Sequence, residues 1–355
     1  MLVIAPSSRR SHGGRLLGTK SLSLVTAAIG TLCVWSGAAF AQTQPKLSMP
    51  SVKVAMAPPE AVQNAALHAA LRGGDFEREG LKVEIVQFRS WTEPVQAIAS
   101  DSAQFALGAA SLIRAVKGQN APVRQIAMIS SRFPYDFWAR KGGPASLQDL
   151  KGKTIQTVRT GETLDNIWKQ VLSSAGLAIG DVKRIEGFNG LGALASGSAD
   201  AANVVDTLLG KSRAAGLTPL LDYTRWREDK GLSRGAGANL GWGASSKFLR
   251  DNPDSAKAFL RALTRATERL RKDRAFALTV LTDKPFEIEP DVAGEIYDRH
   301  KDHWIMRMDI ARGDAAFDAE MVEVVMELPP GSIPVASFVD ARPMTEVLGE
   351  LGITY

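Results

Sequence analysis

Ala97-Ile-Ala-Ser-Asp-Ser-Ala-Gln-Phe-Ala106 recurs as Ala193-Leu-Ala-Ser-Gly-Ser-Ala-Asp-Ala-Ala202, with six of ten positions identical and Ile98 answered by Leu194. Each copy reads as the last turn of a helix, a tight polar turn and a short buried strand. Each strand then meets a break and a new helix, at Gly108-Ala-Ala-Ser111 in the first copy and Asp206-Thr-Leu-Leu209 in the second. Chance similarity in Ala/Ser-rich sequence is the competing account. One unit written twice at long separation predicts two lobes of similar build, since a repeat array needs at least three close-set copies. Strands alternating with helices through the first two thirds predict an α/β chain with a largely parallel sheet in each lobe. Ligands of open α/β sheets sit outside the carboxyl ends of the strands, so two facing lobes offer one shared cleft.

The first residues read as an address. Arg9, Arg10, Arg15 and Lys20 form a basic region without an acid, residues 21–35 are mostly apolar, and Ala39-Phe40-Ala41 is a small-x-small cleavage site before Gln42. That pattern predicts a secretory signal peptide over residues 1–41 and a periplasmic mature chain. Those four cations carry most of the formal net charge of +5, so the remainder is close to neutral. Nothing in it calls for nucleic acid or an anionic membrane. The single cysteine, Cys33, lies in the apolar run. A mature chain without cysteine suits an oxidising compartment and a fold held by core burial.

Along the chain, residues 52–57 predict a first strand that Pro58-Pro59 stops. Residues 60–71 predict a helix ended by Gly73-Gly74, and Leu81, Val83 and Ile85 a second strand leading into Arg89-Ser90-Trp91. Leu164, Ile167, Trp168, Val171, Leu172 and Ala175 fall on one helix face behind Arg159-Thr160-Gly161-Glu162-Thr163. Residues 223–237, charged and Gly-rich, predict a loop or return crossing. Asn252-Pro253 opens a long helix with Ala256, Phe259, Leu260, Leu263, Thr267 and Leu270 in one stripe, its Arg and Lys residues predicted to be solvated surface or, alternatively, a docking surface for a permease. The C-terminal hundred residues read as helical with Pro-rich joints.

Four strings carry a family. Gly74-Asp-Phe-Glu-Arg-Glu-Gly-Leu-Lys-Val-Glu-Ile85, Leu147-Gln-Asp-Leu-Lys-Gly-Lys-Thr-Ile155, Leu172-Ser-Ser-Ala-Gly-Leu-Ala-Ile-Gly-Asp-Val182 and the second copy above resemble, in this order, signatures of the nitrate/sulfonate/taurine and thiamine-precursor solute-binding proteins of ABC importers. The chain departs from that pattern at Pro58-Pro59-Glu60-Ala61 and Gly74-Asp75-Phe76, which bears on the ligand more than on the fold. The resemblance implies a two-lobe, type II-like periplasmic-binding-protein fold with a cleft between the lobes. With the duplicated unit and the crossings, it predicts residues 52–136 and 242–355 in a discontinuous first lobe and 139–222 in the second. A small-molecule ligand, delivery to an inner-membrane ABC permease and a monomeric state follow from it, with no cofactor. Two rival readings remain: an enzyme on the same scaffold, akin to thiamine-pyrimidine synthases, or a ligand-sensing module for a membrane receptor.

The candidate ligand-binding residues are Pro58, Ser90, Trp91, Gly108, Ala109, Ser111, Arg159, Thr160, Gly161, Glu162, Thr163, Asp206 and Trp242. The starts at Gly108 and Thr163 rest on the unpaired N–H groups and partial positive charge of a helix N-terminus, which favour an anion. The bland account is that Thr160 or Thr163 merely caps the helix. Trp91 and Trp242 are candidate apolar walls, with core packing as the alternative. His300 and His303 have a metal-like spacing but read as an exposed helical pair, and no metal site is expected. No nucleophile–base pair or phosphate loop is present, so no catalytic residue is assigned.

Overall fold

The computed structural model describes residues 46–57, 61–88, 90–158, 160, 163–232 and 241–355. The predicted signal peptide, Pro58, Arg159, Gly161 and Glu162 therefore lie outside the described residues.

The first sheet opens with β1 (Ser51–Met56), α1 (Ala65–Arg72), α2 (Asp75–Arg78), β2 (Lys82–Gln87), α3 (Glu93–Ala99), β3 (Phe105–Leu107), α4 (Ala109–Gln119) and β4 (Val123–Ser130). The chain then passes to a second sheet: β5 (Tyr135–Ala139), β6 (Thr154–Thr157), α5 (Thr163–Ser174), β7 (Lys183–Glu186), α6 (Gly190–Ser196), β8 (Ala201–Val205), α7 (Leu209–Ala214) and β9 (Thr218–Leu221). After α8 (Tyr223–Asp229) it returns as β10 (Gly241–Ser245), followed by α9 (Ser246–Asp251), α10 (Pro253–Lys272), α11 (Arg274–Thr282), α12 (Pro290–His300), β11 (Trp304–Arg307), α13 (Ala316–Val325) and α14 (Arg342–Leu351).

The sheets run β11-β4-β10-β3-β1-β2 and β7-β6-β8-β5-β9. Setting β3 against β8 superposes the two orders: β2-β1-β3-β10-β4 answers β7-β6-β8-β5-β9. β1 is parallel to β2 and β3, and β6 is parallel to β7 and β8. In each sheet the next strand, β10 or β5, has arrived from the other sheet and runs antiparallel to its neighbours. The sheets are thus mixed, where the sequence pattern suggested largely parallel ones. A strand entering from outside is not bound by the βαβ crossover that keeps neighbours parallel.

The duplicated unit is one structure made twice. The Ser100 and Ser102 hydroxyls both donate to Ala97 O, at 3.2 and 3.1 Å, and Ala103 N reaches the same oxygen at 3.1 Å. Ser196 and Ser198 both donate to Ala193 O at 3.2 Å, and Ala199 N joins them at 3.2 Å. Asp101 and Gly197 occupy the same left-handed position, with φ of 59° and 73°. Glycine takes that conformation freely and aspartate tolerates it, which explains the one polar exchange in the turn.

α10 buries the predicted stripe beneath the first sheet. Its arginines lie on the outer face as the sequence reading expects, Arg265 exposed, but they are tied into ion pairs rather than simply solvated. Arg261 and Arg265 pair with Glu79, and Arg269 donates to Asp75 Oδ2 at 2.6 Å and to Ala69 O. A β-carbon on Gly73 would sit 2.0 Å from Arg269 Nη2 and would push that guanidinium away from Asp75 and Ala69. Asp75 and Glu79 of the Gly-Asp-Phe-Glu-Arg-Glu string therefore clamp α2 and its exit to α10. Residues 223–229 are helical instead of looped, with the Asp222 carboxylate accepting from Arg225 N at the helix start. β11 was hidden because it is four residues long among helices.

Candidate ligand-binding site

In the second sheet the site begins where β6 ends. Thr160 is exposed, and Thr163 is the first residue of α5. Arg184, on β7, donates to Thr160 Oγ1 at 3.2 Å and to Asp165 Oδ1 at 3.0 Å. Asp165 is fully buried and also takes Lys169 Nζ at 3.1 Å. The start of α5 is thus tied down from below, and a guanidinium lies against its first turn. Sequence reasoning missed Arg184, an exposed residue of the short strand Lys-Arg-Ile-Glu, because nothing local marks it as a partner of Asp165 and Thr160.

In the first sheet, Trp91 and Gly108 are brought together. A β-carbon on Gly108 would lie 3.9 Å from Trp91 O and 4.0 Å from Trp91 Cε3. Gly108 has φ 147° and ψ 91°, a conformation that L side chains rarely adopt, and its N–H donates to Gly241 O at 3.1 Å. Ser90 is exposed and forms a reciprocal pair with Glu93, each side chain reaching the other's backbone N–H. It caps the approach to α3. Ala109 and Ser111 are buried in the first turn of α4, with Arg114 donating to Ser111 Oγ at 3.3 Å. Trp242 is core: 2% exposed, it stands edge-on to Phe259 at 5.2 Å. That replaces the apolar-wall expectation for this residue.

The remaining candidate, Asp206, sits where the sheets meet. Its Oδ1 accepts from Val62 N at 3.3 Å, and its Oδ2 lies 3.0 Å from His300 Nε2, although that pair is not aligned as donor and acceptor. His300 is fully buried, correcting the exposed-pair reading, and His303 Nδ1 meets Ser131 Oγ at 2.9 Å. No group of three His, Cys, Asp or Glu able to hold a metal occurs among the described residues. Beside them, Arg132 and Arg299 share Asp136 and Asp222. Burial raises the Asp136 carboxyl above its ordinary range despite Arg299 and Arg132. Burial opposes the charge on Asp222 too, but Arg132, the Arg225 N–H and Arg299 hold it down at about 2.

Burial lowers the His300 pKa, with Arg132 and Arg299 adding to the effect and Asp206 opposing it. The folded state therefore keeps His300 neutral below the unfolded value near 6.5, where the unfolded chain binds a proton. Stability is fully present above that pH and is lost as pH falls through it, by up to about 1.4 kcal/mol per unit. Denaturant titrations at pH 7.5 and 5.5 should show this loss, and His300→Gln should remove that share of it. An identical slope in the variant would show that His300 titrates normally.

Two mixed sheets of matched order, joined by two passages and each ending in helix starts on one side, define a periplasmic-binding-protein fold. A family model described as NMT1/THI5 like matches residues 62–275, more than half of the chain, and the chain belongs to that family. Solved structures agree on the fold. The alkanesulfonate-binding protein SsuA from Xanthomonas axonopodis pv. citri, bound to MOPS, is 17% identical, with a TM-score of 0.65 over 82% of this chain and 98% of its own. The periplasmic nitrate-binding protein NrtA from Synechocystis PCC 6803 is 14% identical, with 0.63 over 87% and 90%. The desulfurization enzyme DSZB is also 14% identical, with 0.65 over 84% and 99%. No curated relative matches the chain in sequence.

Proposed function

We propose that this protein is a periplasmic solute-binding protein, with the two sheets as lobes that close on a small organic anion, sulfonate-like or an aromatic carboxylate, or on a heteroaromatic. It then delivers the ligand to an ABC permease. The observation that carries the reading is the twofold match of the sheets. It sets α5, which follows β6, against α1, which follows β1, and α4, which follows β3, against the turn at Asp206 that follows β8. α4 and α5 each start beyond a strand of the parallel group, so each offers N–H groups and a positive helix end. Trp91 over Gly108 supplies an apolar surface in one lobe, and Arg184, paired with Asp165, holds the Thr160 hydroxyl in the other. The sulfonate and nitrate binders among the structural neighbours support the solute-binding role, and the four signature strings favour an importer. Closure turns about the two passages between the sheets, driven by contacts a ligand makes only in the closed state.

The enzyme reading has the desulfurization enzyme as a fold neighbour but no reactive constellation among the described residues. His68, the histidine nearest a candidate loop, stands edge-on to Phe286 at 5.2 Å.

A thermal-shift screen of the mature protein against ethanesulfonate, benzoate, nitrate and a pyrimidine should raise Tm with one class. A ligand at 100 times its Kd adds about 2.7 kcal/mol. Turnover of the stabilising compound, or no shift with any of the four, would overturn the proposal.

A further inference from the structure

Under α5 lies a set of polar atoms that the fold leaves unpaired. Asn203 is 9% exposed, Thr157 3% and Trp168 fully buried, yet Asn203 Oδ1 and Nδ2, Thr157 Oγ1 and Trp168 Nε1 have no hydrogen-bond partner. Thr157 ends β6 and Asn203 stands in β8, one step beyond the Gln156–Ala202 pair, so the two are neighbours across the ladder. Side chains alternate along a strand. Thr157 therefore shares a face with Ile155 and Asn203 with Ala201, and that face packs against Ile167 and Trp168 of α5. On its other side Asn203 is paired with Phe137, whose ring meets Trp168 at 4.5 Å. The unpaired atoms thus belong to one side of the second sheet and to the twelve-residue helix that covers it.

Buried polar groups are nearly always satisfied, and each exception calls for an explanation. A structural asparagine would have been bonded to the strand or helix beside it. Thr157 Oγ–H, Asn203 Nδ2–H and Trp168 Nε1–H are three neutral donors buried between the same sheet face and the same helix, a set that suits the oxygens of an oxyanion. We infer that Thr157, Asn203 and Trp168 receive the oxyanion head of the ligand, with the N–H groups of α5 completing its shell. The inference rests on the solute-binding reading above and adds to it which residues select the head group. Asn203 Oδ1 remains to accept from a hydroxyl or amine next to the anion, or from water. No lysine or arginine is among the three, so selection works through hydrogen-bond geometry, and planar and tetrahedral heads should be told apart.

Calorimetric titration with ethanesulfonate, benzoate and nitrate, on wild type, Asn203→Leu and Thr157→Val, tests this together with ligand-free melting. Hydrogen bonds to a charged group correspond to roughly a tenfold effect or more each. Asn203→Leu should weaken the best probe at least tenfold, and Thr157→Val should weaken it in the same direction. Both should leave the ligand-free Tm unchanged or raise it by about 2 °C or more, because they remove unpaired buried atoms. A purely structural role gives the opposite pair of results, a lower ligand-free Tm with unchanged affinity, and would overturn the inference. Binding by wild type with unchanged affinity in both variants overturns it while sparing the solute-binding role. A wild type that binds none of the probes overturns both. Should Asn203→Leu fail to fold, the near-isosteric Thr157→Val decides.

Discussion

Truncating Phe259 to alanine is expected to lower the unfolding free energy by about 3–5 kcal/mol, a large part of the total for a domain with ordinary stability. The ring is fully buried at the point where four elements of the first sheet's core meet. It stacks on Phe105 of β3 at 3.8 Å with planes 10° apart, and on Phe76 of α2 at 5.5 Å. Trp242 of β10 stands edge-on against it. A cavity there cannot be filled by one neighbour moving, because each of the three aromatics is held by a different element. The loss therefore combines lost transfer energy with an unrelaxed void. Urea unfolding followed by tryptophan fluorescence would measure it, with Phe259→Leu as a milder companion. A loss below about 1 kcal/mol would show that the core collapses around the site and that the stack is not its centre.

Phe76 also shows what was legible in the chain. The Gly-Asp-Phe-Glu-Arg-Glu-Gly-Leu string marked the family, but its reasons became visible only in the fold: Phe76 enters the stack while Asp75 and Glu79 take arginines from nearly two hundred residues away. The repeated Ala-Ser-x-Ser-Ala turn was legible because its hydrogen bonds are local, closing within a few residues on Ala97 and Ala193. Strand direction was not, because β5 and β10 take theirs from a passage between sheets that leaves no local pattern. His300 illustrates the same limit. Its spacing to His303 was plain, but burial depends on which element covers that helix face, and here Asp206 and Trp304 do. In the candidate site, helix starts could be found from Gly and Thr punctuation. Asn203 and Arg184 were invisible because only sheet register brings them under α5.

Arg132→Met should cost about 3 kcal/mol at pH 7, near the lower end for a broken buried ion pair because Asp222 is still 30% exposed. Arg132 is 4% exposed and donates to Asp222 Oδ2 at 2.8 Å and to Asp136 Oδ1 at 3.3 Å. It belongs to the first passage between sheets and Asp222 to the second, while Arg299 of α12 touches both acids. Without Arg132, two carboxylates face one guanidinium in a poorly solvated place. Asp136 already has a raised pKa, and losing a cation raises it further. A carboxyl with a raised folded pKa binds a proton more readily folded than unfolded, so the penalty is full above that pKa and shrinks as pH falls through it. The variant should therefore lose less stability at pH 4.5 than at pH 7, and Arg132→Met with Asp222→Asn should recover part of the loss. Urea titrations at both pH values provide the test. Equal losses at the two pH values would mean that Arg132 acts through packing of its stem and not through charge. If the charge account holds, the quartet ties the two passages to α12, so it sets how freely the sheets turn about them. Loosening it should then change ligand affinity without altering a residue that contacts the ligand.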